Sequence, residues 1–280
     1  VLILDGKRVS DSVRAAIKVE VKNFTSETGR PPGLAVVIVG KDPASQVYVK
    51  NKIKACEDVG IRSLHIELDG QISQEALLKQ IQNLNDDTQV DGILVQLPLP
   101  EQLNKEEVFK AISPKKDADG LTRENREWLE AGQPRVVPCT PAGVMEILKF
   151  YKIEVKNKAA VVVGRSAIVG HPMAVLLKNA GAQVEVVHSK TVDPNSVTQR
   201  ADIIVVAAGR PGLIGKAQLK EGVTVIDVGI HRTELGLIGD VRFHELRDYA
   251  YAVTPVPGGV GPMTITMLLK NTLSLARAHV

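Results

Sequence analysis

Tyr48 and Lys52 stand four residues apart in a stretch, Ala44–Val59, whose pattern reads as a helix. Val49, Ile53 and Cys56 recur there at i, i+4 and i+7 and make a stripe for the core. Side chains at i and i+4 meet on a helix surface, so the phenol and the amine lie side by side at the edge of that stripe. Partial burial draws a lysine toward neutrality, where it can exchange protons, so the two could serve as an acid/base pair. Taken alone, they read first as a surface lysine lying over a core tyrosine. Lys50, Lys54 and Asp58 point elsewhere and read as solvated. Gln96 closes the apolar strand Val90–Leu97 at its carboxyl end, ahead of Pro98. Ligands of parallel sheets bind at that edge, although simple strand-end solvation would also place an amide there. Asp117 and Asp119 share the polar loop Lys115–Gly120, which lacks the further ligands of a calcium loop. Cys56 and Cys139 fit no metal spacing, and no metal is expected.

A second kind of chemistry is written in Ala160–Leu177, AVVVGRSAIVGHPMAVLL. The opening apolar residues read as a buried parallel strand, which Gly164 breaks. Arg165 and Ser166 follow, and Gly170 and Pro172 lead into a helix. Strand, glycine turn and helix form the first unit of a dinucleotide-binding fold, where the helix N-terminus receives a pyrophosphate. The glycine spacing is not the usual G-x-G-x-x-G, and an ordinary strand–turn–helix would share the pattern. The second strand, Gln183–His188, runs into Ser189-Lys190-Thr191 with no carboxylate to grip a ribose 2′-hydroxyl. Arg165 in the first turn, with a hydroxyl of that stretch, fits a 2′-phosphate instead, so NADP is expected over NAD, although Lys190 also reads as a solvated turn residue.

The elements that must position these residues follow from length and pattern. The 280 residues suffice for about two domains. Short Val- and Ile-rich strands over Leu34–Gly40, Arg62–Leu68 and Val90–Leu97 alternate with helices in the first half. Strands over Ala160–Gly164, Gln183–His188, Asp202–Ala208 and Val223–Ile230 do so in the second. Residues 1–9 read as a short strand and turn before a charged helix to Thr28, and Ile72–Leu84 reads as an amphipathic helix. Pro138-Cys139-Thr140-Pro141 is a rigid loop in which Thr140 can cap a helix over Ala142–Phe150. An apolar helix follows Thr254–Thr264 and ends near Ala278. This is an α/β plan of two parallel-sheet units, the second of Rossmann type. Net charge is only +3 with mixed signs, and aromatics are 3%, so neither a basic block nor stacking platforms point to nucleic acid. No apolar run reaches membrane-spanning length. A reducing, cytoplasmic compartment is the default. The chain does not begin with Met, which leaves a mitochondrial matrix location open should a transit peptide have been removed.

In joint order and spacing, these motifs resemble the bifunctional methylenetetrahydrofolate dehydrogenase/cyclohydrolase family along nearly the whole chain. The matching pieces are Ser45-Gln46-Val47-Tyr48 running into Lys52, Val95–Pro100, Lys116–Gly120, Pro138–Pro141, Gly164–Gly170 and Pro255–Thr264. The resemblance implies a folate-binding domain of residues 1–141 plus 265–280, an NADP-binding domain of residues 142–264, and folate in a cleft between them. It implies oxidation of 5,10-methylenetetrahydrofolate by NADP and hydrolysis of the methenyl product to 10-formyltetrahydrofolate. Lys52 would be the catalytic lysine, Tyr48 would stack on the folate, Gln96 would hold the lysine, and Asp119 would bind the pterin, with Val95 and Leu97 beside them. Gly164, Arg165, Ser166 and Ser189 would contact NADP, and Ile230 would lie against it. Pro257, Gly258, Gly259, Val260 and Gly261 would line the folate site. A homodimer through the nucleotide domain is also implied. Two places depart from the family pattern: His231, where Asn is expected in many relatives, and the charged run 122–132. No ligase domain accompanies the two units, so formyltetrahydrofolate synthesis from formate is not expected. The rivals are a dehydrogenase of the shikimate or amino-acid type and a nucleotide-binding regulator without turnover.

Overall fold

The computed structural model describes residues 1–279 other than 235. In chain order the elements begin with β1 (Leu2–Ile3), α1 (Gly6–Thr28), β2 (Gly33–Val39), α2 (Pro43–Val59), β3 (Arg62–Leu68), α3 (Gln74–Asp86) and β4 (Gly92–Val95). The short helices α4 (Lys105–Ala111) and α5 (Arg123–Glu130) follow, then α6 (Cys139–Phe150), β5 (Ala159–Val163), α7 (Gly170–Asn179), β6 (Gln183–Val187), α8 (Pro194–Thr198) and β7 (Ile203–Val206). The chain closes with β8 (Thr224–Asp227), the hairpin β9 (His231–Thr233) and β10 (Gly236–Ile238), β11 (Ala252–Val253) and α9 (Val260–Ala278). It divides into two compact units, one of Val1–Asp11 with Thr140–Thr264, the other of Ser12–Cys139 with Ile265–Val280.

The unit carrying β2–β4 holds a parallel sheet in the order β3-β2-β4. Every residue of β2 is buried, as befits a central strand covered on both faces. Its core gathers Ala35, Val37 and Val39 from β2, Leu77, Ile81 and Leu84 from α3, and Ile93 and Val95 from β4. Asp91, fully buried just before β4, accepts both ends of the Arg30 guanidinium at 2.7 and 2.8 Å and the Gly33 amide at 2.8 Å. His279 Nδ1 lies 3.3 Å from the same carboxylate. Burial works against the Asp91 charge, but these donors outweigh it and hold the carboxyl below its usual range.

The other unit is a six-stranded sheet in the order β1-β11-β8-β7-β5-β6, parallel throughout. Here the N-terminal boundary differs from the expected one. Residues 1–11 group with the nucleotide-type sheet because Leu2 and Ile3 pair with Ala252 and Val253. The Lys7 amide also donates to Gly258 O at 3.1 Å. Of the short strand and turn expected over residues 1–9, the strand is two residues long and the helix already begins at Gly6. Thr140 does not cap the following helix from outside. The helix starts at Cys139, and the Thr140 hydroxyl sits 3.0 Å from that of Thr264.

Candidate active site

Helix α2 is started by Asp42, whose carboxylate accepts the Ser45 amide at 2.7 Å, with Pro43 in the first turn. Gly60 ends it at φ 85°, a left-handed cap that suits glycine. Val49, Cys56 and Val59 face the core, and burial pushes the Cys56 thiol up to about 12. Lys52 comes off the edge of that face, half-buried, and its Nζ donates to Gln96 Oε1 at 2.9 Å. Gln96 follows β4 and keeps its strand pairing through its amide, which donates to Val37 O at 2.8 Å. Its Nε2 donates to Leu97 O at 2.7 Å. The donor end of the amide is thus spent on the backbone, and its oxygen is the end turned to the lysine. Tyr48, one helical turn before Lys52, is exposed, at 43% of its surface. The Val95 side chain points into the core and Leu97 packs on it, so neither presents a polar group to a ligand except through its backbone.

Asp119 belongs to the same unit. Burial pushes its carboxyl up, against the opposing pull of the Lys52 charge and the Cys139 thiol. Burial and then the neighbouring Asp119 carboxylate raise the Cys139 thiol in turn. The other carboxylate of this loop has a different task. Asp117 is buried and accepts from Gly120 N, Thr122 N, Thr122 Oγ1 and Asn125 Nδ2, each at 2.8 Å. It fixes the loop that carries Asp119. From α9, Asn271 Nδ2 donates to Ala118 O and Val137 O at 2.9 Å and ties the loop from the other side. No local pattern marks Asn271, because its partners lie more than a hundred residues away in the chain.

The glycine turn after β5 is built on close approach. Gly164 has φ 117°, and a Cβ there would lie 2.8 Å from the Ala207 carbonyl carbon, with the carbonyl oxygen closer still. A Cβ on Gly170 would lie 2.8 Å from Arg165 N. Helix α7 therefore starts directly against the turn. The Ser166 hydroxyl accepts the Val169 and Gly170 amides at 3.3 Å and so closes that start. Beside the turn is a cavity of about 530 Å³. Gly164 and Arg165 meet His188 and Ser189 there, with Ala208 and Arg210 from the turn after β7. Two arginines and no carboxylate line it among the described residues, a donor set that fits a dinucleotide carrying a 2′-phosphate. The turn after β6 is fixed by His188 N donating to Thr191 Oγ1 at 2.9 Å and by Lys190 N donating to His188 Nδ1 at 3.1 Å.

A smaller hollow of about 150 Å³ in this unit brings Ile230 together with Pro257–Gly261 and Leu237. Two buried carboxylates that sequence reasoning missed stand behind it. Asp227, at the end of β8, accepts the amides of Gly229 and Asp240 at 2.9 Å and of Val241 at 3.0 Å. Burial raises it to about 6, against the pull of those amides. Asp240, fully buried, accepts the amides of Ala208, Gly209 and Arg210 at 2.7, 2.9 and 2.9 Å. Its Oδ1 lies 2.7 Å from His231 Nε2. Gly229 and Gly239 leave room for these carboxylates, since a Cβ on either would run into the partner aspartate. The Asp-x-Gly and Gly-Asp pairs were the available signal.

Residues 4–119 match the model of the tetrahydrofolate dehydrogenase/cyclohydrolase catalytic domain, and residues 138–280 match that of the NAD(P)-binding domain of the same family. The bifunctional protein FolD of Bdellovibrio bacteriovorus is 56% identical over 278 residues, 99% of this chain and 96% of that protein. The crystal structure of the Campylobacter jejuni FolD dehydrogenase/cyclohydrolase superposes with a TM-score of 0.96 at 48% identity, covering 99% of each chain. The Trypanosoma brucei enzyme, solved with NADP cofactor and inhibitor, gives 0.94 at 41% identity, covering 99% of this chain and 97% of that one. Shikimate dehydrogenase from Aquifex aeolicus gives 0.54 at 18% identity, a likeness of fold alone. With both halves matched and the relatives aligned end to end, the chain belongs to the tetrahydrofolate dehydrogenase/cyclohydrolase family.

Proposed function

We propose that this protein oxidises 5,10-methylenetetrahydrofolate with NADP and hydrolyses the resulting 5,10-methenyl compound to 10-formyltetrahydrofolate. Family membership supports the pair of activities, and the Lys52–Gln96 contact is the observation that carries the chemistry. NADP, when bound, supplies the hydride acceptor of the first step. The chain's own residues have the remaining work. Arg165 and Ser189, with Gly164 allowing close backbone approach, hold the nucleotide, and Ser166 shapes the helix start beside it. Ile230 packs against the cofactor, and Pro257–Gly261 line the folate site. Tyr48 offers an exposed ring for stacking on folate. Asp119, its carboxyl pushed up by burial against the Lys52 charge, would take the amide-like edge of a pterin.

Hydrolysis adds water to the methenyl carbon, releases one proton, and opens the bond from that carbon to one ring nitrogen. Of the two protons of the water, that one goes to solvent and the other ends on the leaving nitrogen, carried there from the attacking water by Lys52. Gln96 does not titrate, so it fixes the lysine without competing for the proton. A homodimer and a cytoplasmic location complete the reading. No helix among the described residues is long and apolar enough to cross a membrane.

The test mixes purified protein with methylenetetrahydrofolate and NADP and follows reduced cofactor and methenyl product, wild type beside Lys52→Met. Reduced cofactor without methenyl accumulation in wild type, with hydrolysis lost in the variant, supports both activities. No turnover with either NADP or NAD would leave only a binding protein.

A further inference from the structure

The turn after β7, Ala208–Arg210, forms one wall of the nucleotide cavity, and no sequence motif accounts for what holds it. Its three consecutive amides all end on the Asp240 carboxylate. That carboxylate is fully buried, and its fourth donor is His231 Nε2. A carboxylate oxygen can only accept, so the imidazole carries its proton on Nε2. His231 opens β9 directly after Ile230, and its side chain is 21% exposed. One side chain therefore joins the turn after β8 to the turn after β7 through a single buried anion.

We propose that His231 is a positioning residue for the nucleotide, acting through Asp240 on the Ala208–Arg210 wall of the cavity. The inference rests on reading that cavity as the NADP site. A buried carboxylate that loses a donor at 2.7 Å must find water or shift toward it. Either change moves three amides at once, because all three are fixed to the same two oxygens. Arg210, one of the two arginines of the cavity, moves with its own backbone.

NADP binding to the full chain is measured by calorimetry, beside steady-state KM and kcat for NADP. Loss of one charge-assisted hydrogen bond predicts that His231→Ala raises the Kd and KM about tenfold, with kcat changed far less. His231→Asn, which donates through its side-chain amide, is expected to recover binding to within about threefold of wild type. Asp240→Asn keeps the shape and loses the charge. It should weaken NADP in the same direction, and the double variant should fall short of the product of the two effects, because both act on one contact. This cycle serves should one substitution fold poorly. Wild-type affinity in His231→Ala, an Asn variant as weak as the Ala one, or effects that simply multiply would overturn the proposal. Arg165→Ala separates the two levels. If it weakens NADP and His231→Ala does not, the positioning role falls and the cavity stands. If neither weakens NADP, the reading of the cavity falls with it.

Discussion

Adding one methyl group at Gly164 must be paid for somewhere measurable. The residue sits at φ 117°, a region closed to L side chains, and its new Cβ would meet the Ala207 carbonyl. Strain in such a region costs about 1–3 kcal/mol, and forcing a methyl into a packed site adds about 1–3 kcal/mol. Two responses are open. If the turn keeps its place, the variant loses about 2–6 kcal/mol of stability in the nucleotide unit. If the turn moves away from β7, the cost is relieved, but Arg165 and the start of α7 move with it. Gly164 N also donates to Val187 O at 2.8 Å, so the neighbouring strand end is drawn along. A loss of even 2 kcal/mol in binding is about thirtyfold in Kd. Urea unfolding and NADP calorimetry on Gly164→Ala therefore share one sum. Wild-type affinity together with stability within about 0.5 kcal/mol of wild type would refute the close-approach account of this turn.

Three other outcomes follow from the same structure. Gln96→Ala takes away the acceptor that fixes Lys52, and methenyl hydrolysis should fall about a hundredfold, measured by loss of methenyl absorbance. Asp119, with its carboxyl raised by burial, stabilises the fold most at pH below the ordinary carboxylate range and loses that contribution as pH rises through its raised pKa. Asp119→Asn, neutral at every pH, should therefore gain on wild type in urea unfolding as pH rises above the ordinary carboxylate range, and a relative loss would contradict the burial effect. Arg30→Ala strands the buried Asp91 and should cost about 3–5 kcal/mol near neutral pH. The Asp91 carboxyl is held low, so its contribution is present above about pH 4 and lost as pH falls further. The difference between variant and wild type should shrink in acid.

What the sequence made legible was local. Tyr48 and Lys52 could be placed on one face by their spacing, and Gln96 could be placed at a sheet edge by the proline after it. Gly164 and Gly170 were visible because a turn that close demands them. The parts that escaped depend on contacts across long separations. The Gly239-Asp240 pair hints at a tight turn but not at Ala208–Arg210 as its donors, because the four donors converge only once β7, β8 and the β9–β10 hairpin have assembled. Asp117 and Asp119 look alike in the sequence, and only burial among amides separates the loop anchor from the group beside Lys52. Helices α4 and α5 are seven and eight residues long, too short to hold a periodicity against their charged sequence.

The pairing of β1 with β11 bears on how the chain is made. Leu2 and Ile3 leave the ribosome long before their partners Ala252 and Val253. The edge of the six-stranded sheet therefore stays unfilled while the chain between them is made. The other unit waits as well, since it includes residues 265–280. Neither unit corresponds to a continuous stretch of messenger RNA. A gene cut between the codons for Cys139 and Thr140 would yield two halves that each lack a piece of their own core, and both would expose apolar surface to chaperones and proteases until the missing piece arrived.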